Sequence, residues 1–234
     1  MRLRCAQGGR REPQPRGAVL SNLDVVIAGG SGGLGGECAR DLAAAGARVV
    51  DSFKQNAARA DALSEIAAVL KADLASPEDR ALLLDAARNL YGLVVFAGDP
   101  ARVTDPSRAE EAMLRSHQVN YLGPILLARE AAARMKARNI PGAIVLLSTM
   151  QAVSVFEGST AYAAQKAALI QGAKILAKEC RGKTDVRVNV ICPNLMQAGM
   201  GSLQETEIYV RRPGATKSVR PVDRRPRRGS ANQT

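Results

Sequence analysis

The chain has 234 residues, enough to bury one well-filled core, and its 46% apolar content suits a globular protein, while the absence of Trp and an aromatic share of 3% argue against a base-stacking single-strand binder. The formal net charge of +11 belongs to the ends: the first 22 residues hold five Arg against one Glu and the last 34 hold eight Lys or Arg against three acids, so the body between them is nearly neutral and no nucleic-acid partner is read from it. Cys5, Cys38, Cys180 and Cys192 have neither paired nor metal-type spacing, no apolar run reaches the roughly 18 residues of a membrane span, and the Arg-rich start lacks an apolar h-region, which together point to a reduced, cytoplasmic setting without a metal site or a membrane partner.

In chain order, residues 1–22 read as a disordered basic extension rich in Arg, Pro and Gly. Leu23 to Gly36 then carries the strongest signal, a short apolar run that breaks into Gly29-Gly30-Ser31-Gly32-Gly33-Leu34-Gly35 and passes into a helical pattern. Backbone without Cβ approaches an anion closely, and the first N–H groups of a helix lack internal acceptors, so this strand, turn and helix start form a candidate pyrophosphate cradle. Helical spacing continues through Leu34, Cys38, Leu42 and Ala45 to Gly46. Arg48 to Ser52 reads as a second strand, Ala57 to about Ser64 as a helix and Val69 to Ala72 as a third strand ending at Asp73-Leu74.

Ser76 and Pro77 open a helix expected to run to about Leu90, and Leu93 to Ala97 is a buried-strand run stopped by Gly98-Asp99-Pro100. Ser107 to Arg138 reads as helix with a break near Gly123-Pro124, Ala143 to Leu147 as the fifth strand, Ala161 to about Cys180 as a helix and Val186 to Ile191 as the sixth strand, closed by Pro193. Alternation of this kind predicts an α/β fold: a Rossmann-type, doubly wound parallel sheet over 23–200 with six strands, followed by a basic, disordered tail over 201–234. Ligands of such sheets bind outside the carboxyl ends of the strands, where the glycine turn, Lys54, Asp73, Ala97-Gly98, Ser148-Thr149 and Pro193 all fall.

Tyr162 and Lys166 stand four apart, on one face of one helix. A phenol of pKa near ~10 is a poor acid or base at neutral pH, and an adjacent ammonium is expected to bring it toward the working range. Together with the glycine turn and the strand ending in Ser148-Thr149, this pair makes the chain resemble the short-chain dehydrogenase/reductase family, and within it the 3-oxoacyl-carrier-protein reductase-like branch. The resemblance covers about residues 22–200. It rests on Gly29 to Gly35, Asp73, Ala97-Gly98 and the order and spacing of Asn120, Ser148 or Thr149, Tyr162 and Lys166.

The resemblance implies a proton donor at Tyr162 and a Lys166 that lowers its pKa and holds nicotinamide ribose hydroxyls. It also implies a hydroxyl of Ser148 or Thr149 on the substrate carbonyl, with Thr149 at the family spacing, and an Asn120 that supports a proton-carrying water. The cofactor itself supplies the hydride. Cofactor contacts are carried over to Gly29, Ser31, Gly32, Gly33, Leu34, Gly35, Asp73, Leu74, Ala97, Gly98, Tyr162, Lys166 and Pro193. Lys54 fills the place of the cation that faces a 2′-phosphate and Phe53 that of the NAD carboxylate, so NADP(H) is preferred over NAD(H). Asp51 falls two residues too early for that role and is expected to point elsewhere.

The partners implied are a small carbonyl or alcohol substrate and further copies of the chain, paired through the long helices. Val95-Phe96, Asn194 and Ala198 depart from the family pattern, and residues 201–234 contain no apolar run for its seventh strand. Two rivals remain: a dinucleotide-binding protein without turnover, and a hydrolase with Ser31 in Gly-x-Ser-x-Gly, for which His117 is the only histidine.

Overall fold

The computed structural model describes residues 20–194 apart from 104 and 183. The expectations for residues 1–19, for the 201–234 tail, for Ala198 and for a missing seventh strand lie outside the described residues. Six strands form one all-parallel sheet in the order β3-β2-β1-β4-β5-β6. They are β1 (Asp24–Ala28), β2 (Arg48–Phe53), β3 (Ala67–Lys71), β4 (Leu90–Val95), β5 (Ala143–Leu147) and β6 (Arg187–Ile191). The helices are α1 (Gly33–Ala44), α2 (Ala57–Asp61), α3 (Pro77–Asp85), α4 (Ala109–His117), α5 (Gly123–Ala137) and α6 (Thr160–Glu179). None of them is long and apolar enough to cross a membrane.

Strand parity divides the core. Val25, Ile27 and Val49 pack with Ala39 of α1 and Leu63 on one face, whereas Val26, Ala28 and Val50 join Leu83 of α3, Leu127 and Ala131 of α5 and Leu169 and Ala173 of α6 on the other. Burying a Leu or Ile side chain contributes about 1.5–3 kcal/mol, so this second cluster dominates the stability of the domain.

Several boundaries differ from expectation. Helix α3 stops at Asp85 and β4 begins at Leu90. Asp24 holds that start in place, since its Oδ2 accepts the Asn89 N–H at 2.7 Å and its own N–H donates to the Asn89 carbonyl. Helix α2 is a single short turn, and β3 starts two residues early at Ala67. The expected break at Gly123-Pro124 is absent: α4 runs through a π turn at Gln118–Leu122, closed by the Gly123 N–H on the Gln118 carbonyl, into α5. Pro124 has no N–H for the Asn120 carbonyl four residues back, and the wider turn absorbs the loss without ending the helix.

Candidate active site

The turn after β1 is built for a close approach. Gly29 has φ +88°, and a Cβ there would lie 2.8 Å from the Ala97 nitrogen; a Cβ on Gly35 would lie 2.5 Å from the Cα of Gly30. Only glycine lets this turn sit against β4 and let α1 begin beneath it. No side chain caps α1 and no acid occupies its first turn, so its leading N–H groups remain available to an anion.

A cavity of about 650 Å³ opens in front of them, lined by Gly29, Ser31, Gly32, Gly33, Leu34 and Gly35 from the turn, by Lys54, by Asp73-Leu74, and by Ala97-Gly98. Eleven of the residues expected to bind a cofactor therefore share one concave surface. An uncapped helix start and a cradle that a Cβ would fill fit a dinucleotide pyrophosphate. Pro193, Tyr162 and Lys166, also expected to contact the cofactor, are not in the lining; the Pro193 carbonyl accepts the Met150 N–H at 2.9 Å and ties the exit of β6 to the loop carrying Thr149.

At the far end of the lining, Lys54 and Asp73 meet each other, Nζ to Oδ2 at 2.6 Å. Burial would raise the Asp73 carboxyl, but the Lys54 hydrogen bond, the Ala75 amide and the Lys54 charge outweigh it and hold it below the usual carboxylate range. Two residues to which the sequence assigned separate contacts thus start as a pair. Arg115, whose Nε donates to Asp99 at 2.7 Å, and Val119 complete the rim from α4 and the π turn. Sequence reasoning missed both, although their i, i+4 spacing marks one helical face.

Of the residues expected to carry chemistry, Lys166 reaches the cavity wall at Ala97. Lys166 is 2% exposed, and its ammonium donates to the Leu147 carbonyl at 2.8 Å and, more weakly, to the Ala97 carbonyl at 3.4 Å. Desolvation lowers its pKa to about 8. The Ser148 hydroxyl donates to the Lys166 carbonyl, whereas the Thr149 side chain is the one that acts on Tyr162, pulling its pKa down against burial. Of the two alternatives the sequence left open, Thr149 is therefore the one in contact with the phenol.

The expected lowering of the Tyr162 pKa is not found. Burial raises it, the Thr149 hydrogen bond offsets only part of that, and Lys166 is turned to backbone carbonyls instead. Asn120 is fully buried and fully engaged: its Oδ1 accepts the Asp99 N–H at 3.0 Å, and its Nδ2 donates to the Asp99 carbonyl and to Ser116 Oγ. The side chain clamps the exit of β4 to the π turn, while Pro124 leaves the Asn120 carbonyl without its α-helical donor. His117 hydrogen-bonds Gln165 at 3.0 Å and packs on Tyr121, a satisfied helix residue rather than a partner for Ser31.

Known proteins share the sequence pattern and the fold. Residues 24–208 match the family described as short chain dehydrogenase. A Picea abies protein named short-chain type dehydrogenase/reductase is 32% identical over 82% of this chain and 77% of its own. An Arabidopsis thaliana protein named NADPH-dependent aldehyde reductase 2, chloroplastic, is 32% identical over 87% of this chain and 86% of its own. The solved structure of a short chain dehydrogenase/reductase family protein superposes with a TM-score of 0.73 at 31% identity, covering 80% of each chain. On the strength of these matches the chain belongs to the short-chain dehydrogenase family.

Proposed function

We propose that the chain is an NADP(H)-dependent oxidoreductase that interconverts small carbonyl compounds, ketones, aldehydes or 3-oxoacyl groups, with their alcohols. The observation that carries this reading is the contact of Thr149 with Tyr162 one helical turn from buried Lys166, which itself reaches the Ala97 carbonyl on the cavity wall. In the reducing direction the Tyr162 hydroxyl gives its proton to the carbonyl oxygen and the Thr149 hydroxyl holds that oxygen in place. When bound, the nicotinamide supplies the hydride. The glycine turn and the α1 N-terminus hold the pyrophosphate, and Lys54 faces the 2′-phosphate.

Lys166 serves as the cation that eases proton loss and return at Tyr162, a role that requires its ammonium to leave a backbone carbonyl for the ribose hydroxyls. Asn120 acts as a positioning residue for the floor between β4 and α4. The relative named as an NADPH-dependent aldehyde reductase supports both the cofactor and the substrate class. Exposed Met113, Leu114 and Ile175 on α4 and α6 support pairing of two chains through these helices, which sedimentation would read as a dimer or tetramer.

The test is NADPH oxidation against aldehydes, ketones and a 3-oxoacyl thioester, beside a direct NADPH titration. Turnover on any of them carries the reading; binding without turnover selects a binding protein, and NADH preferred over NADPH overturns the cofactor assignment.

A further inference from the structure

Asp51 has no place in the chemistry above, yet it is the most unusual polar group in the structure. It lies in β2 between Ile27 of β1 and Val69 of β3, is 0% exposed, and neither carboxylate oxygen has a hydrogen-bond partner; among the described residues no other buried side-chain nitrogen or oxygen is left so. Gly30 sits directly over it, since a Cβ on Gly30 would lie 1.8 Å from Asp51 Oδ1. Gly29 and Ser31, on either side of Gly30, line the cavity. One glycine thus separates a buried carboxylate from the surface on which the pyrophosphate is read to rest.

The groups facing Asp51 offer it no counter-charge. Strands β1 and β3 present Ile27 and Val69, the turn presents the Gly30 amide, and its own strand the Ser52 amide. Helix α1 presents the Cys38 thiol, itself pushed up by burial and then by Asp41 and Asp51. Burial raises the Asp51 carboxyl to about 6, against the weaker pull of the Ser52 and Gly30 amides.

We propose that Asp51 is a proton-binding site linked to the dinucleotide: the chain takes up a proton from solvent on the Asp51 carboxylate when the pyrophosphate settles on the glycine turn. The inference rests on the dinucleotide reading above. A second anion placed across one glycine from an unpaired carboxylate in a desolvated site favours the neutral acid, and linkage makes the effect reciprocal, so protonation of Asp51 tightens the ligand. Affinity falls as pH rises from the free-state value toward the ligand-bound one. The same residue explains why the turn tolerates only glycine at position 30: any side chain would occupy the carboxylate's space.

The experiment is calorimetric titration of the full chain with NADPH and with NADH at pH 7.5, in buffers of different ionisation heat, for wild type, Asp51→Asn and Asp51→Ala. Wild type is expected to take up about half a proton more per ligand than either variant, and to lose about tenfold in affinity, relative to them, between pH 6 and 8. The titration of the 2′-phosphate is common to all three proteins and cancels, and NADH lacks it. Intact binding with equal proton uptake in the three proteins overturns the proposal and leaves the dinucleotide reading standing. Absence of binding to wild type overturns both. Without ligand, the thermal midpoint of wild type is expected to fall relative to Asp51→Asn between about pH 4 and 6 and to stay below it at higher pH; parallel profiles overturn the free-state premise.

Discussion

The two ends of the site differ in how their polar groups are satisfied. At the β4–β6 end, buried polar groups are held by the protein itself: Ser148 on the Lys166 carbonyl, Lys166 on the Leu147 carbonyl, and Asn120 by three hydrogen bonds. At the β1–β3 end α1 is uncapped, Asp51 is orphaned, and Lys54 and Asp73 neutralise each other at the surface. The first end has its hydrogen bonds made before any ligand arrives; the second keeps helix N–H groups open to an anion and a carboxylate open to a proton. Substitutions at the first end are therefore expected to change rate or stability, and at the second to change affinity.

Tyr162→Phe is the sharpest way to break that division. Loss of a general acid costs about 10²–10⁴-fold in turnover, while NADPH affinity is expected to stay within about twofold. An equal fall in both, measured by NADPH oxidation and direct titration, would mean that Tyr162 belongs to the binding end as well.

Gly35→Ala is the counterpart at the glycine turn. Its Cβ would press on the Gly30 Cα, backbone against backbone, with no side chain free to give way. Overpacking of this kind costs about 1–3 kcal/mol, and relief by opening the turn is expected to weaken NADPH binding by about tenfold or more. Unchanged affinity would show that the turn is not the cradle.

Lys166→Met separates stability from function at the β4–β6 end. The folded pKa of about 8 lies below the ordinary lysine value of 10.5, so between those values the unfolded chain binds more protons and stability rises with pH; the penalty of burying the ammonium is fully present below pH 8. The variant removes that penalty but leaves the Leu147 and Ala97 carbonyls without a donor. A net gain of about 1–2 kcal/mol at pH 7, shrinking toward pH 10 and accompanied by lost turnover, is expected from chemical denaturation.

Lys54→Ala has a smaller and more selective effect. Removing the cation and leaving Asp73 unpaired is expected to weaken NADPH by about tenfold while NADH holds, as measured by paired titrations. Equal weakening of both ligands would assign Lys54 to the adenosine rather than to the 2′-phosphate.

Much of this was legible before any coordinates. The glycine turn, Lys54, Asp73 and Ala97-Gly98 reach one cavity because a parallel sheet delivers the ends of its strands to one edge, and apolar runs with glycine stops mark those ends in sequence. Tyr162 and Thr149 meet because helix start and strand end are both readable. Illegible were features set by what lies opposite. Nothing in Arg48 to Phe53 reveals that Gly30 covers Asp51, or that Lys166 turns to carbonyls; nor does Asn89 announce that Asp24, 65 residues earlier, will draw Leu90 into β4. At Gly123-Pro124 local breaker chemistry was outweighed by packing, since Ile125, Leu127 and Ala128 bury against the sheet and hold the helix together through a π turn.

The smallest effect tests how local the cradle is. Gly36 follows Gly35 in α1, but a Cβ there would meet the Gly30 carbonyl oxygen at 3.5 Å, Arg40 Nη1 at 3.6 Å and Leu63 Cδ2 at 4.0 Å, all ordinary contacts. Its backbone is helical, so the conformational freedom of glycine is only a cost there, and alanine recovers about 0.5–1 kcal/mol of helix propensity. Gly36→Ala is expected to raise the free energy of unfolding by that amount and to leave NADPH affinity unchanged. If it weakens binding as Gly35→Ala does, α1 must shift as a unit when the ligand binds, and the demand for glycine extends into the helix rather than ending at the turn.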